Sequence, residues 1–121
     1  MYVEVYRPGR PISRYSQKYE FAQNATTVDL TNSYINFGRG HGSNTGAAGL
    51  YLSADPIGGL TNNTTYYTRT INYTTIALYL TKAEALKGDP LDQIIFTGTP
   101  TGTGSFTGFP FRLYNEVITT L

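Results

Sequence analysis

The sequence predicts an α+β domain of two packed small β-sheets with one or two helices. Apolar alternation with period two recurs in short segments, as at residues 1–7 and 48–53. Thr, Asn, Gly and Tyr are abundant, with 13 Gly and 11 Tyr, while Lys, Glu, Leu and Ala are scarce. That mix suits half-buried pleated surface and turns, and disfavours long helices. The expected helices do not alternate with the strands, which sets aside a doubly wound parallel sheet.

The elements follow in chain order. Val3 and Val5 alternate with Tyr2, Glu4 and Tyr6, which predicts a first strand. Pro8 closes it, because the residue before a proline is held extended, and Arg7 stands at the strand end. Ile12, Tyr15, Tyr19 and Ala22 recur at helical spacing, predicting a helix over about 12–24 that stops at Asn24. Residues 26–37 read as extended, and a glycine-rich stretch, 37–46, follows. A short strand over 48–53 is broken by Asp55-Pro56-Ile57-Gly58-Gly59. Residues 64–73 and 74–80 read as strands. Thr81 and Glu84 have capping-box spacing and Gly88 is a C-terminal stop, which predicts a short helix. A strand over 93–97, a glycine-rich loop over 98–110 and a final strand over 111–120 complete the chain.

At 121 residues the chain has the size of one domain, so 1–121 reads as a single unit. A net charge of +1 with 14% charged residues argues against a long nucleic-acid footprint. Hydrophobic and aromatic contents of 40% and 14% argue against disorder. The absence of cysteine removes disulfides and thiolate metal sites, and a single histidine removes multi-histidine sites, so no metal is expected. The longest apolar run, 76–80, is too short to span a bilayer. The N-terminus has a strand pattern and not that of a signal peptide, and its abrupt start suggests a domain attached to something upstream.

Three features can carry chemistry: Arg7 at a strand end, Gly49-Leu50-Tyr51-Leu52-Ser53, and Glu116 on the last strand behind a glycine loop. Each also has a plain reading, as a surface arginine, a core tyrosine and a solvated glutamate. The stretch 38–46 can cradle phosphate with backbone N–H groups but has no Gly-Lys-Ser/Thr, and a ligand-free loop is its alternative. Phe106 and Phe109 are costly to leave wet in a loop, so they either recognise a macromolecule or tuck back onto the sheet.

The succession of Tyr6-Arg7, Gly49-Leu50-Tyr51-Leu52-Ser53 and Asn115-Glu116-Val117-Ile118 resembles the ADP-ribosyltransferase fold. The glycines of 38–46 running into Leu50-Tyr51-Leu52-Ser53-Ala54-Asp55-Pro56 are similar to the NAD-degrading RES toxin branch. Asp55-Pro56-Ile57-Gly58 resembles a phrase near the end of Rhs-repeat shells, which carry toxins at their C-termini. The resemblance implies an NAD⁺-dependent mono-ADP-ribosyltransferase toxin, the C-terminal payload of a larger bacterial delivery protein. It would be delivered from the producing bacterium and act in the cytoplasm of the recipient. NAD⁺ would be the co-substrate and no metal would be needed. A macromolecule would be the acceptor, a protein before a nucleic acid, with a translation component among the candidates. An immunity protein would cover the site, and no membrane is involved.

On that resemblance Glu116 stabilises the oxocarbenium-like ribose as the nicotinamide leaves. Arg7 takes the pyrophosphate with its bidentate fork. Tyr51 stacks on nicotinamide, and Ser53 helps place Arg7 or Glu116. Phe106, Phe109 and Tyr114 read the target, and as a secondary hypothesis for the glycine stretch Arg39 or His41 touches the adenosine half. The chain departs from the family where Ser53 stands alone in place of a Ser-Thr-Ser triplet. It departs again at Tyr114, two residues before Glu116, where arginine-modifying members carry Glu or Gln. Three alternatives stand beside this reading: an NAD glycohydrolase or phosphorylase toxin of the same fold without a recognition loop; a metal-independent ribonuclease toxin using His41, arginines and tyrosines; and a non-enzymatic β-rich binding module.

Overall fold

Alternating Tyr, Phe and Thr side chains build most of the strands in the structure, a computed structural model that describes residues 18–98 and 100–108. In chain order the described elements are β1 (Lys18–Ala22), β2 (Val28–Asp29), β3 (Tyr34–Asn36), β4 (Ala48–Ser53), β5 (Thr64–Asn72), β6 (Thr75–Tyr79), helix α1 (Lys82–Lys87), a 3₁₀ turn (Pro90–Asp92) and β7 (Thr103–Thr107). The strands form one antiparallel sheet in the order β1-β7-β4-β5-β6-β3-β2. With one helix on a mostly β scaffold, this is a small α+β domain.

The expected pair of packed sheets is, among the described residues, a single sheet that curls until its ends share one core. Tyr19 and Phe21, on the edge strand β1, meet Phe37, just past β3 near the other end, with ring centroids 4.9 and 5.2 Å apart. Edge-to-face contacts of this kind add about 0.5–1.5 kcal/mol each beyond their burial. Two hydrogen bonds cross the seam. The Tyr19 hydroxyl donates to the Gly40 carbonyl at 2.8 Å, and the Arg39 guanidinium donates to the Glu20 carbonyl. Strand twist accumulates across seven strands, and the register shift between Thr70 and Asn72 in the β5–β6 pair adds local bend.

Strand β6, Thr-Ile-Ala-Leu-Tyr, is buried along its whole length. It is covered on both faces: Ile76 and Leu78 point into the main core, while Ala77 and Tyr79 pack with Ala85 of α1. Helix α1 begins and ends as its sequence predicts. Thr81 Oγ1 accepts the Glu84 N–H at 3.1 Å, and Gly88, at φ 72°, returns its N–H to the Glu84 carbonyl at 2.9 Å.

Several expectations are corrected. Residues 18–22 of the expected helix are strand β1, because Tyr19, Phe21 and Gln23 all turn inward at period two. Residues 12–17 lie outside the described residues. The segment 26–37 is not one strand but the short hairpin β2–β3. Its turn is held by the Asp29 carboxylate, which accepts the N–H groups of Thr31 and Asn32, and by Ser33 at φ 59°. Residues 93–97 form no strand: they make the isolated bridge Gly58↔Thr97 and one bond from the Ile94 N–H to the Leu78 carbonyl, with Phe96 buried in the core. The expected loop 98–110 contains β7, which pairs with both β1 and β4. The first and last expected strands lie outside the described residues.

Phe37→Ala opens the seam and leaves a cavity between the two ends of the sheet. The expected loss is about 3–5 kcal/mol of unfolding free energy in urea titration.

Candidate functional site

Strand β4 sends Gly49, Tyr51 and Ser53 inward and leaves Ala48, Leu50 and Leu52 half-buried on the other face. Tyr51 therefore lies at the centre of the core, 0% exposed, with its ring 5.5 Å from that of Phe106. Its hydroxyl donates to Gln23 Oε1 and accepts the Ile57 N–H at 3.0 Å. Burial pushes the phenol pKa up, so the group stays a neutral donor. The Gln23 amide nitrogen reaches Ser53 Oγ at 3.1 Å and the carbonyls of Asp55 and Thr101 at 2.8 and 2.7 Å. Ser53 Oγ in turn donates to the Thr103 carbonyl and accepts the Asp55 N–H.

This network corrects the role expected of Tyr51. A ring with no exposed surface cannot stack on nicotinamide, and its burial follows from its inward position on a central strand. Ser53 is 7% exposed and its hydroxyl serves Gln23, Asp55 and Thr103. Phe106 is likewise corrected from a loop aromatic that reads a target to a fully buried side chain on β7, stacked on Phe21 at 5.8 Å. Arg7, Glu116, Phe109 and Tyr114 lie outside the described residues.

The glycine-rich stretch separates its two candidate ligand residues. His41 is 2% exposed. Its Nδ1 accepts the Ser43 N–H at 3.0 Å, which leaves Nε2–H to donate to the Asn72 carbonyl at 2.9 Å. Its backbone N–H donates to the Tyr73 carbonyl at 3.3 Å. Burial lowers its pKa, opposed by the backbone carbonyls, so the ring is neutral. His41 is thus corrected from an adenosine contact to a clip that fastens this stretch to the β5–β6 turn. Arg39 stands on the surface, with its guanidinium 4.5 Å above the Tyr19 ring. Of the two, Arg39 alone is open to a ligand.

An open hollow of about 400 Å³ lies over β1, β7 and β4, lined by Lys18, Glu20, Ser53, Asn62 and Ser105 among others. A second, of about 670 Å³, lies beside the β2–β3 hairpin and includes Asp29, Tyr34, Asn36 and Asn72. Asp29 has its pKa lowered, first by the Asn32 side-chain amide. Among the described residues no group of three His, Cys, Asp or Glu side chains can hold a metal ion, and no helix is long and apolar enough to cross a membrane. Sequence reasoning missed Gln23 and Tyr73. The signal for Gln23 was present, because it continues the inward alternation of Tyr19 and Phe21. No protein-family model, curated protein or solved structure matches the chain.

Tyr51→Phe removes one oxygen and strands Gln23 Oε1 and the Ile57 N–H in the core. The expected cost is about 1–3 kcal/mol of unfolding free energy, with a smaller added loss when it is combined with Gln23→Leu.

The lowered pKa of His41 sets the sign of a pH effect. The unfolded chain, with its ordinary value of 6.5, takes up the proton before the folded chain does. The stability tied to His41 is therefore complete above about 6.5 and declines as pH falls from there through the folded value. His41→Gln, compared by thermal melts above and below that point, is expected to start less stable and to lose less on acidification than the parent.

Proposed function

We propose that the chain is an NAD⁺-dependent mono-ADP-ribosyltransferase of the toxin class, with Arg7 and Glu116 as its catalytic pair. One observation supports this most: Lys18 and Thr107 are direct partners in the β1–β7 register. Arg7 lies upstream and Glu116 downstream of this pair in the chain. Arg7 precedes Lys18 by eleven residues and Glu116 follows Thr107 by nine. At roughly 3.3–3.6 Å per extended residue, both tethers are long enough to reach one cleft. A hollow over β1, β7 and β4 includes Lys18 in its lining.

The chemistry follows from those two side chains. The Glu116 carboxylate stabilises the cationic ribose that forms as the nicotinamide bond breaks, and it orients the sugar hydroxyl. The Arg7 guanidinium holds the pyrophosphate in place. In this reading the domain is the payload of a delivered protein. It acts in the recipient cytoplasm on a macromolecular acceptor, and an immunity protein blocks it by covering the cleft.

A second reading is NAD⁺ cleavage without a macromolecular acceptor. It is favoured by Phe106, which belongs to the core and not to a recognition loop. The ribonuclease reading loses its base, since both ring nitrogens of His41 are engaged within the fold.

The test is incubation of the protein with cell lysate and NAD⁺ labelled in the adenylate half, following free nicotinamide and labelled macromolecules. Glu116→Gln is expected to slow nicotinamide release by about two to three orders of magnitude, and Arg7→Ala to act mainly on KM. Release without macromolecular labelling selects the second reading. NAD⁺ left intact in a lysate that contains the acceptor contradicts both.

A further inference from the structure

We propose that Arg39 and Tyr73 form the docking point for the ADP half of the dinucleotide, the guanidinium taking phosphate and the phenol ring taking adenine. The identity of the ligand rests on the NAD⁺ reading; the geometry stands apart from it.

Arg39 is built to present its charge. Its guanidinium lies over the Tyr19 ring at 4.5 Å, and one nitrogen is tied to the Glu20 carbonyl. No carboxylate among the described residues pairs with it. An arginine held in one orientation with its charge uncompensated presents its remaining N–H groups as a fork for an anion, and little side-chain entropy is left to lose on binding.

Tyr73 supplies the second half. It sits at the tip of the β5–β6 hairpin and is 69% exposed, the most exposed aromatic ring of the described core-forming segments. The hydroxyl end of its ring rests on Gly40: a Cβ there would stand 2.4 Å from Tyr73 Cζ. Gly40 follows Arg39 directly in the chain, so guanidinium and ring belong to one patch. His41 fixes their relative position, because its backbone N–H and its imidazole bind the carbonyls of Tyr73 and Asn72. An exposed ring beside an unpaired guanidinium matches a nucleotide phosphate, since a base stacks on the ring while its phosphate meets the charge.

Calorimetric titration of the whole chain with ADP tests this, with adenosine and inorganic pyrophosphate as separate arms. ADP is expected to bind more tightly than either fragment. Tyr73→Ala and Arg39→Gln are each expected to weaken ADP about five- to a hundredfold while still unfolding in one cooperative transition, and Glu116→Gln is expected to bind ADP as the parent does. Tyr73→Leu keeps an apolar cover on Gly40 without a π-face and is expected to lose affinity as Tyr73→Ala does. Equal ADP affinity in parent and variants overturns the site, as does an absence of ADP binding to the parent. Nicotinamide release that persists in those cases leaves the NAD⁺ reading intact without this subsite. ADP binding lost in both variants of a protein that never cleaves NAD⁺ supports the site and removes the reaction.

Discussion

The packing of Tyr19 and Phe21 against Phe37 holds the two ends of a seven-stranded sheet over one core. Without that contact the inward rings of β1 would lose their packing against Phe37. With it, a chain of this size can bury large rings such as Tyr51, Tyr66 and Phe106 in one interior. Helix α1 covers part of the outer face of β5 and β6, where Ala85 packs with Ala77 and Tyr79.

Curling the sheet over one core also brings backbone and polar groups into the interior. Gln23 resolves this at the point where β1, β4 and β7 converge. One amide satisfies a tyrosine hydroxyl, a serine hydroxyl and two carbonyls. The space it needs is made by Gly104, where a Cβ would stand 2.3 Å from Gln23 Oε1. A buried polar group of this kind stabilises only while every partner is present. The inward face of β4 is therefore committed to architecture.

Local signals in the sequence were legible where one principle acted alone. Helix α1 was readable from Thr81, Glu84 and Gly88 because caps are set by neighbours within a turn. Strands β4, β5 and β6 were readable from alternation and from the apolar run at 76–80. The reading failed where two periods shared residues. Tyr15, Tyr19 and Ala22 fit a helix, but Tyr19, Phe21 and Gln23 fit a strand, and pairing with β7 decided for the strand. It failed again at β7, whose Thr-Gly-Ser composition resembles a loop and which becomes a strand because it fills the place between β1 and β4. The same burial turned Tyr51, Ser53 and Phe106 from ligand or target contacts into core residues. Arg39 kept its exposure, and Tyr73 joined it only through a hairpin tip that no spacing rule brings near residue 39.

The proposed function requires that Arg7 and Glu116, eleven residues before and nine residues after the register pair Lys18↔Thr107, meet at one dinucleotide. Because the chain has no cysteine, spin labels at Arg7→Cys and Glu116→Cys report one distance without background. Pulsed electron–electron spectroscopy of that doubly labelled chain is the most direct measurement. The account predicts a single narrow distribution at a separation that one dinucleotide can bridge. A broad distribution, or one centred well beyond the length of a dinucleotide, contradicts it.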